Sequence, residues 1–498
     1  MKVNLERLRA SELDTASGFD TDCLIVVEWE GTRQTVLEKP LASLYDSGEI
    51  TGKFLRFTLL HGVNGFKARR VLVVGAGKKD KTDPAALRKI AGAALRFLKG
   101  KGASSAAFLL GPADSPAGAS PDNVAAVVEG AILGAWEPDY LKTDKDTKEE
   151  RSHSVSSFSI VVEASAPALD AVFERGRIVA EAMNLSRDIS VKPPNLLDPL
   201  RLAEHAREVA AAGGLSVEIL DENRMRQLGM GALLGVAQGS PAPPAFIILQ
   251  YKPEKPAGSA HLAFVGKGVT FDTGGISIKP SDGMEKMKYD MVGGASVIAA
   301  MRAIAQLKPS VAVTGIVPAV ENMPGGKAKR PGDIVTSMSG KTIEVLNTDA
   351  EGRLILVDAI TYAKQLGCTH IVDTATLTGA IVVALGHSYS GVFSNNDELR
   401  ERWMTASSAA GEKMWHMPLD EDFEDLLKTV SADIQNIGGR WGGASSAAAF
   451  IEEFVEETPW VHIDIAGTGW LDDAKPFMAK GPTGVPVGSF VNLAMNWK

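Results

Sequence analysis

Strand-like apolar runs alternate with amphipathic helical runs along most of this 498-residue sequence. In the first third, apolar runs at 23–27, 70–74, 106–110 and 159–162 alternate with helical runs at 84–98 and 124–133. After residue 195, strand-like runs at 261–265, 311–317, 342–346 and 370–372 are separated by helical runs that include 295–307 and 355–366. Such alternation favours a largely parallel sheet with helices on both faces. The pattern predicts an α/β fold.

The length exceeds what one ordinary hydrophobic core accommodates, so we expect two domains. The predicted boundaries are an N-terminal α/β domain at 1–165, a helical connector at 166–192 and a larger C-terminal α/β domain at 193–498. The segment 142–157 is polar and charged without an apolar period, which predicts a solvated loop near the end of the first domain.

The composition is that of an ordinary globular protein, with 45% hydrophobic and 23% charged residues. A net charge of -9 provides no overall attraction to nucleic acid or anionic lipid. The first residues lack a secretory signal, no apolar run is long enough to span a bilayer, and only two cysteines occur. We therefore expect a cytoplasmic protein without a membrane segment.

The segment 347–354, Asn-Thr-Asp-Ala-Glu-Gly-Arg-Leu, lies between a predicted strand and a predicted helix. If its first half is extended, Asp349, Glu351 and Arg353 point to one side. Acidic residues also occur in the first turn of many helices, where they complement the helix dipole. This octet alone therefore leaves a binding site and a simple helix start as alternatives.

A second polar cluster follows the predicted strand 261–265. The glycine-rich segment 266–279 contains Lys267, Asp272 and Lys279, and Asp290 precedes an Ala/Gly-rich helical run. Ligands bind at the carboxyl ends of strands in such sheets, so we expect these loops to meet the octet.

Four converging carboxylates, Asp272, Asp290, Asp349 and Glu351, require neutralisation. Two divalent ions about 3.5–4 Å apart would supply it, and oxygen ligands favour Mn²⁺, Mg²⁺ or Zn²⁺. A lysine beside a dication can become a neutral ligand, a charged lysine can stabilise an oxyanion, and an arginine can hold a planar anion. Taken singly, each lysine is better explained as an exposed surface charge.

The octet and the segment 265–275, Val-Gly-Lys-Gly-Val-Thr-Phe-Asp-Thr-Gly-Gly, closely resemble the cytosolic leucyl aminopeptidases, a family of two-metal exopeptidases. The resemblance covers roughly residues 180 to 498 and includes further matches at 322–324, 330–333, 373–379 and 464–467. It implies a macro-like N-terminal domain, a catalytic C-terminal domain and a homohexamer.

The resemblance also implies a role for each matching position. The implied metal ligands are Lys267, Asp272, Asp290, Asp349 and Glu351, and the implied catalytic pair is Lys279 and Arg353, with Arg353 holding a bicarbonate as general base. Positions matching the pocket for the first side chain are Met287, Thr376 and Gly379. Two ions per subunit, Mn²⁺ or Zn²⁺ with Mg²⁺ also suitable, would bind a bridging water that attacks the first peptide bond of a substrate with a free α-amine.

Departures and alternatives lie outside these positions. The segment 191–195 differs from the sequence usual in the family, and Lys327 and Lys329 stand at positions that vary among relatives. Neither departure involves an implied ligand, but both bear on substrate preference. His462 and Asp464 alternate along a predicted strand at 461–465, where a structural histidine is the simpler interpretation.

The alternative functions are a dipeptidase for substrates such as Cys-Gly and an accessory DNA-binding role, which would use the basic residues Lys67, Arg69, Arg70, Lys78, Lys79 and Lys81.

Overall fold

The computed structural model describes residues 1–8, 19–33, 35–112, 115–163 and 168–497. The chain divides into two compact units, Met1–Glu181 with Asp473–Lys480, and Ala182–Asp472 with Gly481–Lys498. The division falls within the helix Asp170–Ser190, in the run predicted to connect the domains. The exact boundaries at 165 and 192 stay a prediction. Within the described ranges, no helix is long and apolar enough to cross a membrane.

In the described part of the first unit, six strands form one sheet. Its strands are β1 (Lys2–Leu8), β2 (Cys23–Glu28), β3 (Phe57–His61), β4 (Arg70–Gly75), β5 (Ser105–Leu109) and β6 (Ser157–Glu163), in the order β1-β6-β5-β2-β4-β3. All neighbours are parallel except β3 and β4. The described helices of this unit are α1 (Thr35–Asp46), α2 (Pro84–Leu98), α3 (Pro121–Gly134), α4 (Lys145–Ser152) and the first part of α5 (Asp170–Ser190). The predicted α/β alternation is confirmed.

Helix α4 corrects the prediction of an irregular loop at 142–157. The Asp144 side chain accepts a hydrogen bond from the Thr147 amide and caps the helix, while Asp146 and Arg151 have the signs that complement the dipole at its two ends. Only Thr147 is buried, so the helix has no apolar face. Capping, rather than hydrophobic periodicity, is the property of the sequence that marks this helix.

The described part of the second unit contains a nine-stranded mixed sheet and ten further helices. The helices are α6 (Pro199–Gly213), α7 (Glu222–Gln227), α8 (Gly231–Ala237), α9 (Val292–Leu307), α10 (Gly352–Gln365), α11 (Gly379–Leu385), α12 (Asp397–Ala410), α13 (Glu421–Asp425), α14 (Gly443–Val455) and α15 (Val487–Met495). The strands are β7 (Ser216–Leu220), β8 (Ala245–Tyr251), β9 (His261–Gly266), β10 (Gly268–Asp272), β11 (Ala312–Asn322), β12 (Asp333–Thr336), β13 (Thr342–Val345), β14 (His370–Ala375), β15 (Ser390–Ser394), β16 (Met414–His416), β17 (Ile434–Gln435), β18 (Trp460–Asp464), β19 (Trp470–Leu471) and β20 (Gly481–Pro482).

The centre of the large sheet is parallel, as predicted. Its order is β16-β15-β18-β14-β9-β11-β8-β7, with β10 beside β11. Strands β18, β14, β9 and β11 run in the same direction. Their carboxyl ends therefore lie at one edge, where Gly266, Ala375 and Asp464 begin the loops that form the polar cluster.

Strand β13, which precedes the octet, does not belong to this sheet. It pairs antiparallel with β12 and parallel with β17 in a separate three-stranded sheet. Its side chains alternate between half-buried and buried, whereas β9 is buried over five of its six residues. Only one face of β13 packs against the core, which is the pattern of a small sheet covering a larger domain.

Helix α10 anchors the octet to the core because nearly all of its residues are buried. Among them, the buried Asp358 carboxylate accepts hydrogen bonds from two distant backbone amides, that of Leu233 at 2.8 Å and that of Met338 at 2.8 Å. One side chain thereby attaches both the start of α8 and the loop after β12 to α10.

We predict that Asp358→Asn lowers the free energy of unfolding by about 1–3 kcal/mol, because an amide can accept only one of the two hydrogen bonds. Urea unfolding monitored by circular dichroism measures the change. Glu401→Gln on α12, whose carboxyl is 77% exposed, is the control and should leave the unfolding free energy nearly unchanged. Equal stability of Asp358→Asn and the unmodified protein would contradict the prediction.

Candidate metal centre

Three acidic side chains from separate parts of the second unit meet at the edge of the large sheet. Asp272 ends β10, Asp290 precedes α9 and Glu351 immediately precedes α10. All three are buried, and each offers an oxygen atom within 4.8 Å of those of the others. The structure thus brings together three of the four carboxylates that the sequence predicted to converge around a cation.

Lys267 lies among these carboxylates. Its Nζ is 2.9 Å from Asp290 Oδ2 and 2.8 Å from Glu351 Oε1, and it donates a hydrogen bond to the Thr376 carbonyl at 3.0 Å. Burial lowers the pKa of Lys267, but the charges of Asp290, Glu351 and Asp272 outweigh burial and raise the pKa above its usual value. Lys267 is therefore a charged ammonium group when carboxylates alone surround it.

The glycine of the octet allows this arrangement. A Cβ atom on Gly352 would lie 2.7 Å from Lys267 Nζ and 2.8 Å from its Cε. Any larger residue at the start of α10 would displace the lysine side chain.

Lys279 connects Asp349 to the same cluster. Its Nζ is 2.8 Å from Asp272 Oδ2 and forms an ion pair with Asp349 Oδ1. Burial alone would lower the pKa of Lys279. The nearby carboxylates outweigh burial and raise the pKa above its usual value. The pKa of Asp349 is raised to about 6, mainly by burial and also by Asp272 and Glu351, although Lys279 opposes the shift.

The octet is not extended, which corrects the expected alternation of its side chains. The Asn347 side chain accepts a hydrogen bond from the Asp349 amide at 2.9 Å, and the Asn347 carbonyl accepts one from the Ala350 amide at 3.2 Å. Glu351 already has helical φ and ψ angles of -83° and -32°. Asp349 and Glu351 approach the cluster through a turn that leads into α10, because local side-chain hydrogen bonds override an extended conformation.

Arg353 is buried in the first turn of α10. Its Nη1 donates a hydrogen bond to the Asn436 carbonyl at 2.7 Å, whereas its Nε has no hydrogen-bond partner among the described residues. Burial lowers the pKa of Arg353 to about 10, although Glu351 and Asp464 oppose this change. At neutral pH the guanidinium is charged and retains donor capacity for an anion.

The three predicted pocket residues occupy different environments. Met287 is half-buried in the 3₁₀ helix Met284–Tyr289. Thr376 is buried, and its hydroxyl donates a hydrogen bond to Asp290 Oδ1 at 2.7 Å. Gly379 is exposed at the start of α11, and a Cβ there would meet nothing within 4 Å. Thr376 thus orients a carboxylate of the cluster, a contact that was not anticipated from the sequence.

Two residues behind Asp272 were also not assigned a role from the sequence. The Asn322 amide donates hydrogen bonds to Asp272 Oδ1 at 2.8 Å and to the Thr348 carbonyl at 3.0 Å. The buried Lys329 donates in turn to Asn322 Oδ1 at 3.2 Å, and burial lowers the pKa of Lys329 to about 8. Asn322 lies in a segment that contributed to the resemblance, but only the pairing of β10 with β11 reveals its partner.

His462 makes structural contacts, in agreement with the simpler interpretation of this residue. Its Nδ1 is 2.6 Å from Asp373 Oδ1, whose other oxygen accepts a hydrogen bond from Trp460 Nε1 at 2.6 Å. Asp464 accepts hydrogen bonds from the Leu377 amide and the Thr378 hydroxyl at 3.1 and 2.7 Å. Asp464 therefore shapes the loop that carries Thr376 rather than forming a dyad with His462.

The arrangement fits divalent cations. Glu351 Oε2 is buried without a hydrogen-bond partner among the described residues, and Lys267 is the cation beside Asp290 Oδ2. Oxygen-rich sites of this kind suit Mn²⁺, Mg²⁺ and Zn²⁺. A dication bound by these oxygens would take over the neutralising role of the ammonium groups and favour the neutral amine of Lys267.

We predict that the affinity for Mn²⁺ falls as the pH decreases through about 6, because Asp349 must lose its proton to bind a cation. The same shift means that Asp349 stabilises the metal-free fold most below its unfolded pKa of 3.8, and that this contribution is lost as the pH rises through about 6. Isothermal titration calorimetry on either side of this pH measures the affinity. A constant affinity across the window would contradict the prediction.

Both parts of the chain match models of one protein family. The "Cytosol aminopeptidase family, catalytic domain" model matches residues 184–491, and the corresponding N-terminal domain model matches residues 32–145. A probable cytosol aminopeptidase of Solibacter usitatus (strain Ellin6076) is 55% identical over 498 residues, which is 100% of both chains. Another, of Koribacter versatilis (strain Ellin345), is 45% identical, again over 100% of both chains.

Solved structures agree with these matches. A mutant of tomato leucine aminopeptidase superposes with a TM-score of 0.87 and 33% identity, covering 99% of this chain and 96% of that one. The bottromycin maturation enzyme BotP in complex with Mn superposes with a TM-score of 0.86 and 31% identity, covering 95% of this chain and 99% of that one. With its two domains matched and its length covered, this chain belongs to the cytosol aminopeptidase family.

Proposed function

We propose that this protein is a metal-dependent aminopeptidase that hydrolyses the first peptide bond of substrates with a free α-amine. The observation that carries this proposal is the convergence of Asp272, Asp290 and Glu351 within 4.8 Å, with Lys267 between two of them. A buried acidic cluster of this kind is costly unless positive charge neutralises it; Lys267 and Lys279 supply such charge, and divalent ions would supply it in the metal-bound protein. Family membership supports the choice of aminopeptidase chemistry.

The cofactors in this proposal are two divalent ions per subunit, Mn²⁺ or Zn²⁺, with Mg²⁺ also suitable. The residues that would hold them are Lys267, Asp272, Asp290, Asp349 and Glu351. When bound, the ions would supply a hydroxide nucleophile from a bridging water near neutral pH and polarise the scissile carbonyl. The Mn complex of the similar enzyme BotP supports a manganese site here.

Lys279 and Arg353 are the proposed catalytic residues. Lys279 is charged and lies between Asp272 and Asp349, so it can stabilise negative charge that develops on the carbonyl oxygen. Arg353 can hold a planar anion through donors that include its Nε, which has no hydrogen-bond partner in the described part of the chain. Bicarbonate is the anion that we propose as general base.

The proposed substrates are peptides that begin with leucine or another apolar residue. The half-buried thioether of Met287 and the open space beside Gly379 are suited to an apolar side chain. A narrow dipeptidase for substrates such as Cys-Gly is the alternative that uses the same residues. We also propose that the protein forms a homohexamer and acts in the cytoplasm.

An accessory DNA-binding role would use the basic residues of the first unit, some of which have contacts within the protein. Arg69 lies 3.5 Å from Asp22, Arg70 donates a hydrogen bond to the Gly102 carbonyl at 3.3 Å, and Lys79 lies over the Trp29 ring. The Arg69 side chain is nevertheless 82% exposed, so this role stays an alternative that a salt-dependent DNA-binding assay would test.

Purified protein, stripped of metal and refilled with Mn²⁺, Zn²⁺ or Mg²⁺, should hydrolyse Leu-p-nitroanilide but not its N-acetylated analogue, since the free α-amine is required for binding. A series of aminoacyl-p-nitroanilides and Cys-Gly then ranks the substrates. Absence of cleavage with every ion in folded protein, or equal cleavage of the acetylated substrate, would refute the proposal.

Changes outside the ligand shell of a metal typically cost about 10–100-fold in activity. Glu351→Gln changes a proposed ligand, so it should reduce kcat/KM for Leu-p-nitroanilide by a larger factor. The amide keeps the volume of the side chain but removes a charge that neutralises the ions. Circular dichroism checks the fold, and Glu401→Gln should retain full activity. A folded Glu351→Gln variant with unchanged kcat/KM would rule out Glu351 as a ligand.

A further inference from the structure

We propose that Asn436 is a positioning residue that holds the octet, including Asp349 and Arg353, in the conformation needed for metal binding and catalysis. The inference builds on the proposed function, but it concerns a residue outside every ligand, catalytic and pocket position named above. Asn436 is fully buried and directly follows β17, more than eighty positions after the octet in sequence.

The side-chain amide of Asn436 binds the octet and the residue before it at four backbone groups. Its Oδ1 accepts hydrogen bonds from the amides of Leu346 at 2.9 Å and Asn347 at 3.3 Å. Its Nδ2 donates to the carbonyls of Asn347 at 2.7 Å and Ala350 at 3.3 Å. These groups lie on both sides of Asp349, so one side chain fixes the turn that directs this carboxylate towards Lys279.

The backbone of Asn436 makes two further hydrogen bonds. Its carbonyl accepts the 2.7 Å hydrogen bond from Arg353 Nη1, and its amide donates to the Glu344 carbonyl at 3.0 Å. The second bond continues the pairing of β17 with β13. Asn436 thereby links β13, the turn at the start of the octet and the guanidinium of Arg353.

An asparagine is chemically specific for this position. Its short side chain carries both a donor and an acceptor. The octet and Leu346 present backbone amides to the oxygen end and backbone carbonyls to the nitrogen end. Aspartate has nearly the same shape but cannot donate to the carbonyls of Asn347 and Ala350, and it would add another negative charge near the acidic cluster.

The test compares Asn436→Asp and Asn436→Ala with Asn123→Asp in the full-length protein. Asn123 is a matched control because it is buried in the first unit and its Nδ2 also donates to two backbone carbonyls, those of Pro116 and Gly118. Three quantities are measured for each variant: the melting temperature, the Mn²⁺ affinity by calorimetry, and kcat and KM for Leu-p-nitroanilide.

We expect both Asn436 variants to lose about tenfold or more in Mn²⁺ affinity and in kcat, with KM changed less, because a residue that orients ligands acts on the transition state. Asn123→Asp should lower only the melting temperature. Folded Asn436 variants with unchanged Mn²⁺ affinity and kcat would overturn the inference. Failure of both variants to fold, while Asn123→Asp folds, would also overturn it by showing that Asn436 serves stability alone.

The proposed function and this inference can fail separately. If the unmodified protein cleaves no substrate with any ion, the aminopeptidase proposal fails, and Mn²⁺ affinity still decides whether Asn436 positions the octet. If the unmodified protein is active and the Asn436 variants match it in kcat and Mn²⁺ affinity, only the inference about Asn436 fails.

Discussion

The second unit depends on how negative charge is neutralised at the edge of its large sheet. Asp272, Asp290 and Glu351 are buried together: burial and the nearby Glu351 charge raise the pKa values of Asp272 and Asp290, whereas Lys267 and Lys279 outweigh burial and lower the pKa of Glu351. Lys267 and Lys279 supply the opposing charge, and both have raised pKa values because carboxylates surround them. A site with this balance of acids and lysines is suited to exchange ammonium contacts for metal ions.

The fold brings these groups together by converging loops rather than by one contiguous motif. Lys267 follows β9, Thr376 follows β14 and Asp464 ends β18, and these strands are parallel neighbours. The octet instead comes from the small sheet of β12, β13 and β17. The acidic cluster therefore forms where two sheets meet within the second unit, and Asn436, next to β17, lies at that junction.

Hydrogen bonds behind the carboxylates determine their orientation. Asn322 directs one oxygen of Asp272, Thr376 directs one oxygen of Asp290, and Asn436 holds the turn around Asp349. In metal sites, loss of such an outer contact typically costs about 10–100-fold in metal affinity or activity. Lys329 adds a buried amine behind Asn322 and donates a hydrogen bond to its Oδ1.

Local patterns in the sequence were sufficient to predict the α/β class, the central strands and helices of both units, and the residue types of the candidate site, because hydrophobic period and local chemistry are properties of short segments. It also predicted that Asp272, Asp290 and Glu351 would meet. Tertiary structure decided that the octet is a turn, that β13 belongs to a separate sheet, and that Asn322 and Asn436 hold the acidic loops. These features depend on strand pairing and hydrogen bonds between residues far apart in the chain, and no local pattern specifies such partners.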